Sequence, residues 1–213
     1  MVKIKVYSDY VCPFCFLLEK PLLEAMEGKE AELEWMPFEL RPEPNETLKP
    51  EDDYLQTTWK QSVYPFAEQL GVELKLPTVS PQPYTHLAFE GFQFAKKHNL
   101  GNEYSSRMLK AFFQEDLDIG NVDVLATLAE EIGLDKNKFH TALVNRTYKD
   151  IHLNALKQVE DENITSVPTL KIGDKTLVGL HSKERLAEAI DEANKPRLTF
   201  GDGAVCGPDG CYI

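Results

Sequence analysis

The hydrophobic positions change their spacing near the start of the chain. Apolar residues first alternate with polar ones, at Val2, Ile4 and Val6. They then recur at intervals of three and four, at Phe14, Leu17, Leu18, Leu22 and Met26. A period of two is typical of a half-buried strand, and the longer period is typical of a helix. The pattern therefore predicts a strand that gives way to a helix at Cys12.

The residues that follow predict where the first helix ends and the chain returns. Pro21 is expected to bend or interrupt the helix, because proline lacks the N–H that a helix interior uses. Gly28 is expected to end it. Residues 31–38 have the pattern of a second strand. A strand, a helix and a strand in this order favour a right-handed crossover between two parallel strands.

Residues 50–163 have helical spacing without a strand pattern. Turn-forming residues near positions 71, 99–101 and 133 separate several helical segments. We expect Asp135 to cap one long helix that continues to Val159. Consecutive helices without strands predict a helical subdomain.

Strand patterns return near the C-terminal end of the chain. Residues 169–172 and 176–178 are joined by Gly173-Asp174-Lys175, which suits a tight hairpin. Ser182 is expected to cap a last amphipathic helix. Pro196 should end that helix.

The order of these elements predicts the fold class. We expect an α/β protein with a thioredoxin-like fold and an inserted α-helical subdomain. The thioredoxin-like domain is discontinuous and takes residues 1–49 and 164–198. The helical insertion takes residues 50–163, and residues 199–213 form a C-terminal tail.

Composition narrows the range of partners. The chain has 213 residues, of which 42% are hydrophobic and 27% are charged, as is ordinary for a globular protein with a sizeable core. Its formal net charge of −12 argues against nucleic acid or an anionic membrane surface as a partner, since both repel an acidic protein. No apolar run is long enough to span a bilayer, and we expect a cytoplasmic location.

Two thiols stand where the first strand gives way to the helix. In the first turn, Cys12 faces unpaired backbone N–H groups and the positive end of the helix dipole, which favour a thiolate. Cys15 lies one turn further along the same face, close enough to attack a mixed disulfide formed at Cys12. We interpret Cys12 as the reactive thiol and Cys15 as the resolving thiol. This chemistry needs no bound cofactor.

Two cysteines at this spacing also suit half of a structural zinc site, or two simple buried thiols. The context favours redox chemistry, because a Cys-x-x-Cys segment between a strand and a helix in an alternating chain is typical of a thioredoxin-like dithiol. The five histidines show no ligand spacing such as i, i+4. We therefore assign no metal site.

Three motifs together give the chain a resemblance to a known family. They are Ser8-Asp9-Tyr10 with Cys12-Pro13-Phe14-Cys15, Pro37-Phe38-Glu39-Leu40-Arg41-Pro42, and Ser166-Val167-Pro168-Thr169. The helical region adds Ala111-Phe112-Phe113, Asp118-Ile119, Leu125 and Gly133-Leu134. Over almost its whole length the chain resembles the DsbA-like thioredoxin superfamily, and its FrnE-type members in particular.

The resemblance implies a thiol-disulfide oxidoreductase or disulfide isomerase, with Cys12 as the nucleophile and Cys15 as the resolving cysteine. It also implies a cis bond before Pro168, beside the two thiols. A cis-proline at a sheet edge leaves the backbone of Val167 free to pair with an extended substrate, so Val167 and Pro168 are the expected substrate-binding residues. The expected partners are protein or small-molecule disulfides and thiols, and a redox partner that reduces or oxidises the pair.

The tail contains a second pair of cysteines. Cys206 and Cys211 surround Pro208-Asp209-Gly210, a strong turn signal that makes a disulfide between them geometrically easy. The FrnE-type proteins that the chain resembles also have a second cysteine pair near the C-terminus. The pair is either a redox relay that exchanges with Cys12 and Cys15 or a structural clasp.

Two other functions remain open. A glutathione-using transferase or isomerase of the kappa type shares the expected fold, although such proteins usually have a single serine or cysteine where this chain has a pair. A binding module is the other alternative. In it, one zinc ion would be held by all four cysteines, namely Cys12, Cys15, Cys206 and Cys211.

Overall fold

The computed structural model describes residues 1–195 and the backbone of two short strands in the tail. These two strands are Val205–Gly207 and Gly210–Tyr212. None of the helices in this described part has the length and apolar character needed to cross a membrane.

The first three elements follow the predicted order. Strand β1 is Val2–Ser8, helix α1 is Pro13–Met26 and strand β2 is Ala31–Pro37, and the two strands are parallel. Pro21 lies inside α1 and does not interrupt it. The buried face of this helix, which includes Leu17 and Leu22, packs into the core and offsets the one backbone hydrogen bond that a proline removes.

The chain between β2 and the next strand is helical, as predicted. Its helices are α2 (Asp53–Thr58), α3 (Tyr64–Leu70), α4 (His86–Lys97), α5 (Gly101–Phe113), α6 (Val122–Glu131), α7 (Lys136–Val144) and α8 (Lys149–Asp161). A π-helical turn, Trp59–Val63, joins α2 to α3. Gly71 ends α3 with a left-handed φ of 59°, a conformation that glycine adopts at no steric cost.

The single long helix predicted after Asp135 is wrong. Asp135 does cap a helix, since its carboxylate accepts a hydrogen bond from the Lys138 N–H at 3.0 Å. That helix, α7, ends at Val144, and α8 begins only at Lys149. The break contains Arg146, whose φ is 52° and whose guanidinium binds a carboxylate on α4, 56 positions away. Helical spacing reports local pattern alone, so it could not reveal this pairing.

The remaining strands complete one four-stranded sheet. Strand β3 is Thr169–Ile172 and strand β4 is Lys175–Val178, and the sheet order is β2-β1-β3-β4 with β3 antiparallel to both neighbours. Helix α9 is Lys183–Asn194, and Ser182 caps it as predicted, since the Ser182 side chain accepts a hydrogen bond from the Arg185 N–H. The architecture is a thioredoxin-like fold with a helical insertion.

Helices of the insertion pack directly on α1. Phe16 of α1 stacks on Phe113 of α5 with ring centroids 5.5 Å apart, and Trp59 lies 6.0 Å from the same ring. The buried side chains of both parts form one hydrophobic cluster that also contains Cys12 and Cys15. The insertion therefore builds one wall of the region around the two thiols. The domain boundaries given above stay a prediction.

Candidate active site

The turn that precedes α1 fixes the two thiols. Cys12 is the N-cap residue, and Pro13 occupies the first helical position, where its missing N–H costs little. The Cys12 N–H donates to the Asp9 carbonyl at 3.1 Å. The Cys12 carbonyl in turn accepts from the N–H groups of Cys15 and Phe16, at 3.1 and 3.3 Å. The first helical turn thus holds Cys12 at its start and Cys15 inside it.

Burial distinguishes the two thiols. Both are free, but Cys12 is 4% exposed and lines a cavity, whereas Cys15 is fully buried. Burial raises the pKa of Cys15, and its hydrogen bond to Cys12 and the charge of Cys12 raise that pKa further. The Ser8 side chain and the Asp9 backbone act in the opposite direction. Cys12 is therefore the sulfur that a substrate in the cavity can reach.

The cavity beside Cys12 has a volume of about 460 Å³, which is within the range of small-ligand sites. Its apolar walls include Phe14, Leu48, Leu55 and Trp59. Its polar side chains include Asp9, Arg41, Gln82 and Thr85. The lining comes from α1, from the segment after β2 and from the insertion, so both parts of the fold contribute to the space in front of the thiol.

The structure brings Val167 and Pro168 to the same place as the cysteines. The bond between them is cis, as predicted. The Val167 carbonyl lies 3.8 Å from the Cys12 Sγ, and Val167 also lines the cavity. Pro168 is buried, and its carbonyl accepts a hydrogen bond from the Gly179 N–H at 2.8 Å. Their substrate-binding role stays a prediction.

Asp9 is a residue of this site that no sequence pattern predicted to be functional. Its side chain is buried at 1% exposure, and its Oδ2 accepts a hydrogen bond from the Leu40 N–H at 2.7 Å. Burial raises the pKa of Asp9 to about 7, although the hydrogen bond from Leu40 lowers it. A charged residue just before a Cys-x-x-Cys segment was the signal that could have identified it.

An aromatic stack connects the turn before Cys12 to the insertion. Tyr10 stacks on Phe89 of α4 at 4.4 Å, and its hydroxyl lies 3.2 Å from the Ser105 Oγ. Phe89 also stacks on His152 of α8 at 5.5 Å. The His152 Nε2 lies 2.5 Å from the Glu39 Oε1, and both side chains are almost fully buried. Elements distant in sequence therefore hold the turn that carries Asp9.

The second cysteine pair is described only through its backbone. Cys206 and Cys211 are opposite each other in the register of the two short antiparallel strands, while their side chains lie outside the described residues. Within the part of the chain whose side chains are described, no group of three or more potential metal ligands occurs. A zinc site on Cys12 and Cys15 would therefore need ligands from the tail.

Comparison with known proteins agrees with this geometry. Residues 3–191 match the sequence model of the DSBA-like thioredoxin domain. The chain belongs to this family. DSBA-like proteins are thiol-disulfide oxidoreductases, as the dithiol at Cys12 and Cys15 led us to expect. The narrower FrnE-type assignment stays a prediction.

Individual relatives of this DSBA-like chain extend the comparison. It is 52% identical over 198 residues to the uncharacterized protein YwbO of Bacillus subtilis. The aligned region covers 92% of this chain and 99% of YwbO. A probable DsbA oxidoreductase from Streptomyces coelicolor, SCO1869, has a TM-score of 0.76 at 18% identity, covering 100% and 99% of the two chains. A 2-hydroxychromene-2-carboxylate isomerase has a TM-score of 0.71 at 16% identity, covering 89% and 93%. The two structures show the shared fold alone.

Proposed function

We propose that this protein catalyses thiol-disulfide exchange through Cys12 and Cys15, as an oxidoreductase or a disulfide isomerase. One observation carries the proposal. A fully buried second thiol, Cys15, hydrogen-bonds to the thiol that lines the cavity, Cys12. A transferase that uses a single nucleophile has no need of this second thiol, whereas a dithiol enzyme needs it to release its substrate.

The reaction proceeds in two exchange steps. The Cys12 thiolate attacks one sulfur of a substrate disulfide, so a Cys12–substrate disulfide forms and the other substrate sulfur leaves as a thiolate. Cys15 then attacks the Cys12 sulfur. The Cys12–Cys15 disulfide forms, the bond to the substrate breaks, and the substrate leaves reduced by two electrons in total. The reverse sequence oxidises a dithiol substrate.

We also propose a docking site for the substrate on Val167 and Pro168. Val167 supports this because it borders the cavity and its carbonyl lies close to the Cys12 sulfur. An extended peptide could pair with such a backbone, and the apolar walls of the cavity could accept its side chains. The substrates are protein or small-molecule disulfides and thiols, and a separate redox partner restores the dithiol. The cytoplasmic location stays a prediction.

The test uses Cys12→Ser and Cys15→Ser in a Cys206→Ser/Cys211→Ser background, which removes the other two thiols of the chain. Reduction of insulin by dithiothreitol is measured with each variant. We expect Cys12→Ser to lose the activity. We expect Cys15→Ser to accumulate a mixed disulfide between Cys12 and insulin, detected by mass spectrometry.

Three outcomes would contradict the proposal. Insulin reduction by Cys12→Ser at the parent rate would mean that Cys12 is not the nucleophile. The kappa-type reaction would be favoured if Cys15→Ser turned over a glutathione conjugate at the full rate while the parent did not reduce insulin. Stoichiometric zinc in protein purified without reductant would favour the binding module.

A further inference from the structure

Gln82 brings a buried amide to the cavity beside Cys12. The residue is 6% exposed and lines this cavity together with Cys12 and Val167. Its side-chain amide makes no hydrogen bond to any residue whose side chain the structure describes. A buried amide without a partner is costly, and a ligand that pairs with it removes that cost. The cavity therefore offers a bound molecule a polar group that the folded chain leaves unused.

The backbone that carries Gln82 is held in place between α3 and α4. The Gln82 N–H donates to the Leu48 carbonyl at 2.8 Å, and the Tyr84 hydroxyl donates to the Asn45 carbonyl at 2.9 Å. Both bonds tie this segment to the segment after β2, which forms another wall of the cavity. An amide on a fixed backbone loses little conformational freedom when it binds a ligand.

The other polar side chains of the cavity are less available to a ligand than Gln82. The Asp9 Oδ2 accepts the Leu40 N–H, and the Asp9 Oδ1 is fully enclosed. The Thr85 hydroxyl interacts with Asp9 and lowers its pKa. Arg41 is exposed, and its guanidinium binds a backbone carbonyl five positions along the chain. Gln82 is thus the buried group of this cavity that is free to recognise a neutral polar ligand.

We propose that Gln82 selects peptide disulfides by hydrogen-bonding to a peptide group of the substrate, beside the sulfur that Cys12 attacks. This inference rests on the proposed function. A glutamine amide has one carbonyl acceptor and two N–H donors, and a peptide group presents the complementary N–H and carbonyl. Val167 and Gln82 then hold the substrate backbone at two points of one cavity. Gln82 takes no part in the exchange of electrons, so it is a specificity-determining residue.

Rates of dithiol oxidation separate this recognition from the thiol chemistry. Reduced protein in the Cys206→Ser/Cys211→Ser background is mixed with one of two disulfides. The disulfide of N-acetylcysteine N-methylamide has peptide groups, and bis(2-hydroxyethyl) disulfide has none. Samples are quenched with acid, remaining thiols are alkylated, and the Cys12–Cys15 disulfide is followed by mass spectrometry. The ratio of the two second-order rate constants is compared between protein variants, so the intrinsic reactivity of each disulfide cancels.

Gln82→Met removes the amide and keeps nearly the same length and volume. We expect its rate with the peptide disulfide to fall about 3- to 10-fold, which is the loss typical of a hydrogen bond. Its rate with bis(2-hydroxyethyl) disulfide should stay within about twofold of the parent rate. An unchanged ratio, or an equal slowing with both disulfides, would overturn the proposal.

Gln93→Met is the matched control. Gln93 lies on α4, is 8% exposed, and also has an amide without a hydrogen bond in the described part of the chain. It lines a different cavity, with Lys3 and Lys96. We expect both rates to equal those of the parent. A ratio that falls as far in Gln93→Met as in Gln82→Met would show that the effect does not come from the Cys12 cavity.

Peptide groups occur both in protein chains and in glutathione, so the same comparison is made with insulin and with glutathione disulfide as the oxidant. A lower rate of Gln82→Met with either one supports the proposal and identifies the source of the peptide group. Parent rates with both would overturn it.

A measurement on the unsubstituted glutamine covers the case in which Gln82→Met does not fold. In Cys15→Ser, in the same background, Cys12 is linked to N-acetylcysteine N-methylamide or to 2-mercaptoethanol, and the Gln82 side-chain NH₂ group is observed by ¹⁵N NMR. We expect its resonances to differ between the two adducts, and identical resonances would contradict the contact. A parent dithiol that neither disulfide oxidises would overturn the proposed function as well. Oxidation by both, at an unchanged ratio in Gln82→Met, would overturn the role of Gln82 alone.

Discussion

Glu39 links the proton affinity of Asp9 to the helical insertion. The residue immediately precedes Leu40, whose N–H binds the Asp9 carboxylate, and its own carboxylate binds His152 of α8. Burial is the largest cause of the raised pKa of Asp9, and the negative charge of Glu39 adds to it. A contact between the insertion and the segment after β2 thus affects a carboxylate next to the thiols.

Replacing Glu39 by glutamine tests this electrostatic link. The amide oxygen can still accept a hydrogen bond from His152, but the negative charge is lost. We expect the pKa of Asp9 to fall below about 7 and to stay above that of an exposed aspartate, because burial persists. A ¹³C NMR titration of the Asp9 carboxyl carbon measures it. Glu46→Gln, at an exposed acid in the same segment, is the control and should leave the titration unchanged.

Sequence spacing could identify the thiols but not the environment of Asp9. Cys12 and Cys15 were predicted because a change of hydrophobic period marks the helix start. The burial of Asp9 depends on Leu40, 31 positions away, and on the helices that cover the turn. Burial of a single polar side chain is a property of the folded chain, so no local pattern contains it.

At the level of the elements, an ion pair maintains the break between α7 and α8. The Glu90 side chain is fully buried on α4, and the Arg146 guanidinium binds its carboxylate through Nε and Nη2, at 2.9 and 2.7 Å. Arg146→Met should lower the free energy of unfolding by about 2–3 kcal/mol, because it leaves a buried carboxylate without its partner. Urea denaturation measures the change.

A surface pair provides the comparison for this prediction. Arg185 and Glu188 form an exposed ion pair on α9, so Arg185→Met should change stability by less than about 1 kcal/mol. The double variant Glu90→Gln/Arg146→Met should recover part of the loss, since it removes the unpaired charge. Equal effects of Arg146→Met and Arg185→Met would show that the buried pair does not stabilise the break.

A second charged cluster joins the end of α8 to the sheet. The Glu162 carboxylate binds Lys5 of β1 at 2.9 Å and Lys171 of β3 at 2.5 Å, and it accepts a hydrogen bond from the Tyr7 hydroxyl at 2.5 Å. Although partial burial opposes ionisation, these partners lower the pKa of Glu162 to about 2. The ionised carboxylate is therefore favoured by the folded state.

This lowered pKa predicts how stability depends on pH. The unfolded chain has an ordinary glutamate pKa near 4.5, so the contribution of Glu162 is complete above that pH and is lost as the pH falls towards about 2. Glu162→Gln should lower the free energy of unfolding by about 1 kcal/mol at pH 7, which corresponds to about 2–4 °C in Tm. This difference in stability between variant and parent should disappear in acid. Glu160→Gln, an exposed neighbour on α8, should show no such pH-dependent gap.

For the whole molecule, alternation and turn signals predicted the fold well. The four sheet strands lie near their predicted positions, and the hairpin between β3 and β4 turns at Gly173, where φ is 58°. The packing of the insertion on α1 could not be predicted in the same way. It depends on pairs such as Phe16 and Phe113, which are far apart in sequence and meet only in the folded protein.

The tail contains the cysteine pair whose role the sequence left open between a relay and a clasp. Strands β5, Val205–Gly207, and β6, Gly210–Tyr212, pair in antiparallel fashion, with Gly207 opposite Gly210. Cys206 and Cys211 are directly opposite each other in this pairing. Residues opposite each other in antiparallel strands have Cα atoms about 4.5–5.5 Å apart, a separation that a disulfide can bridge.

We therefore expect Cys206 and Cys211 to form a disulfide under mild oxidation. In a Cys12→Ser/Cys15→Ser background the thiol count should fall to zero, and peptide mapping should show the two tail cysteines linked. A disulfide that closes a 15-residue loop stabilises the folded state by roughly 3 kcal/mol, and a shorter loop gains less. Because the loop closed here is short, Cys206→Ser/Cys211→Ser should lower the free energy of unfolding by less than that amount. Two titratable thiols that persist in oxidised protein would contradict the prediction.

A redox titration of Cys12 and Cys15 in Cys206→Ser/Cys211→Ser distinguishes the two roles of the tail pair. An altered titration would favour the relay, and an unaltered titration would favour the clasp.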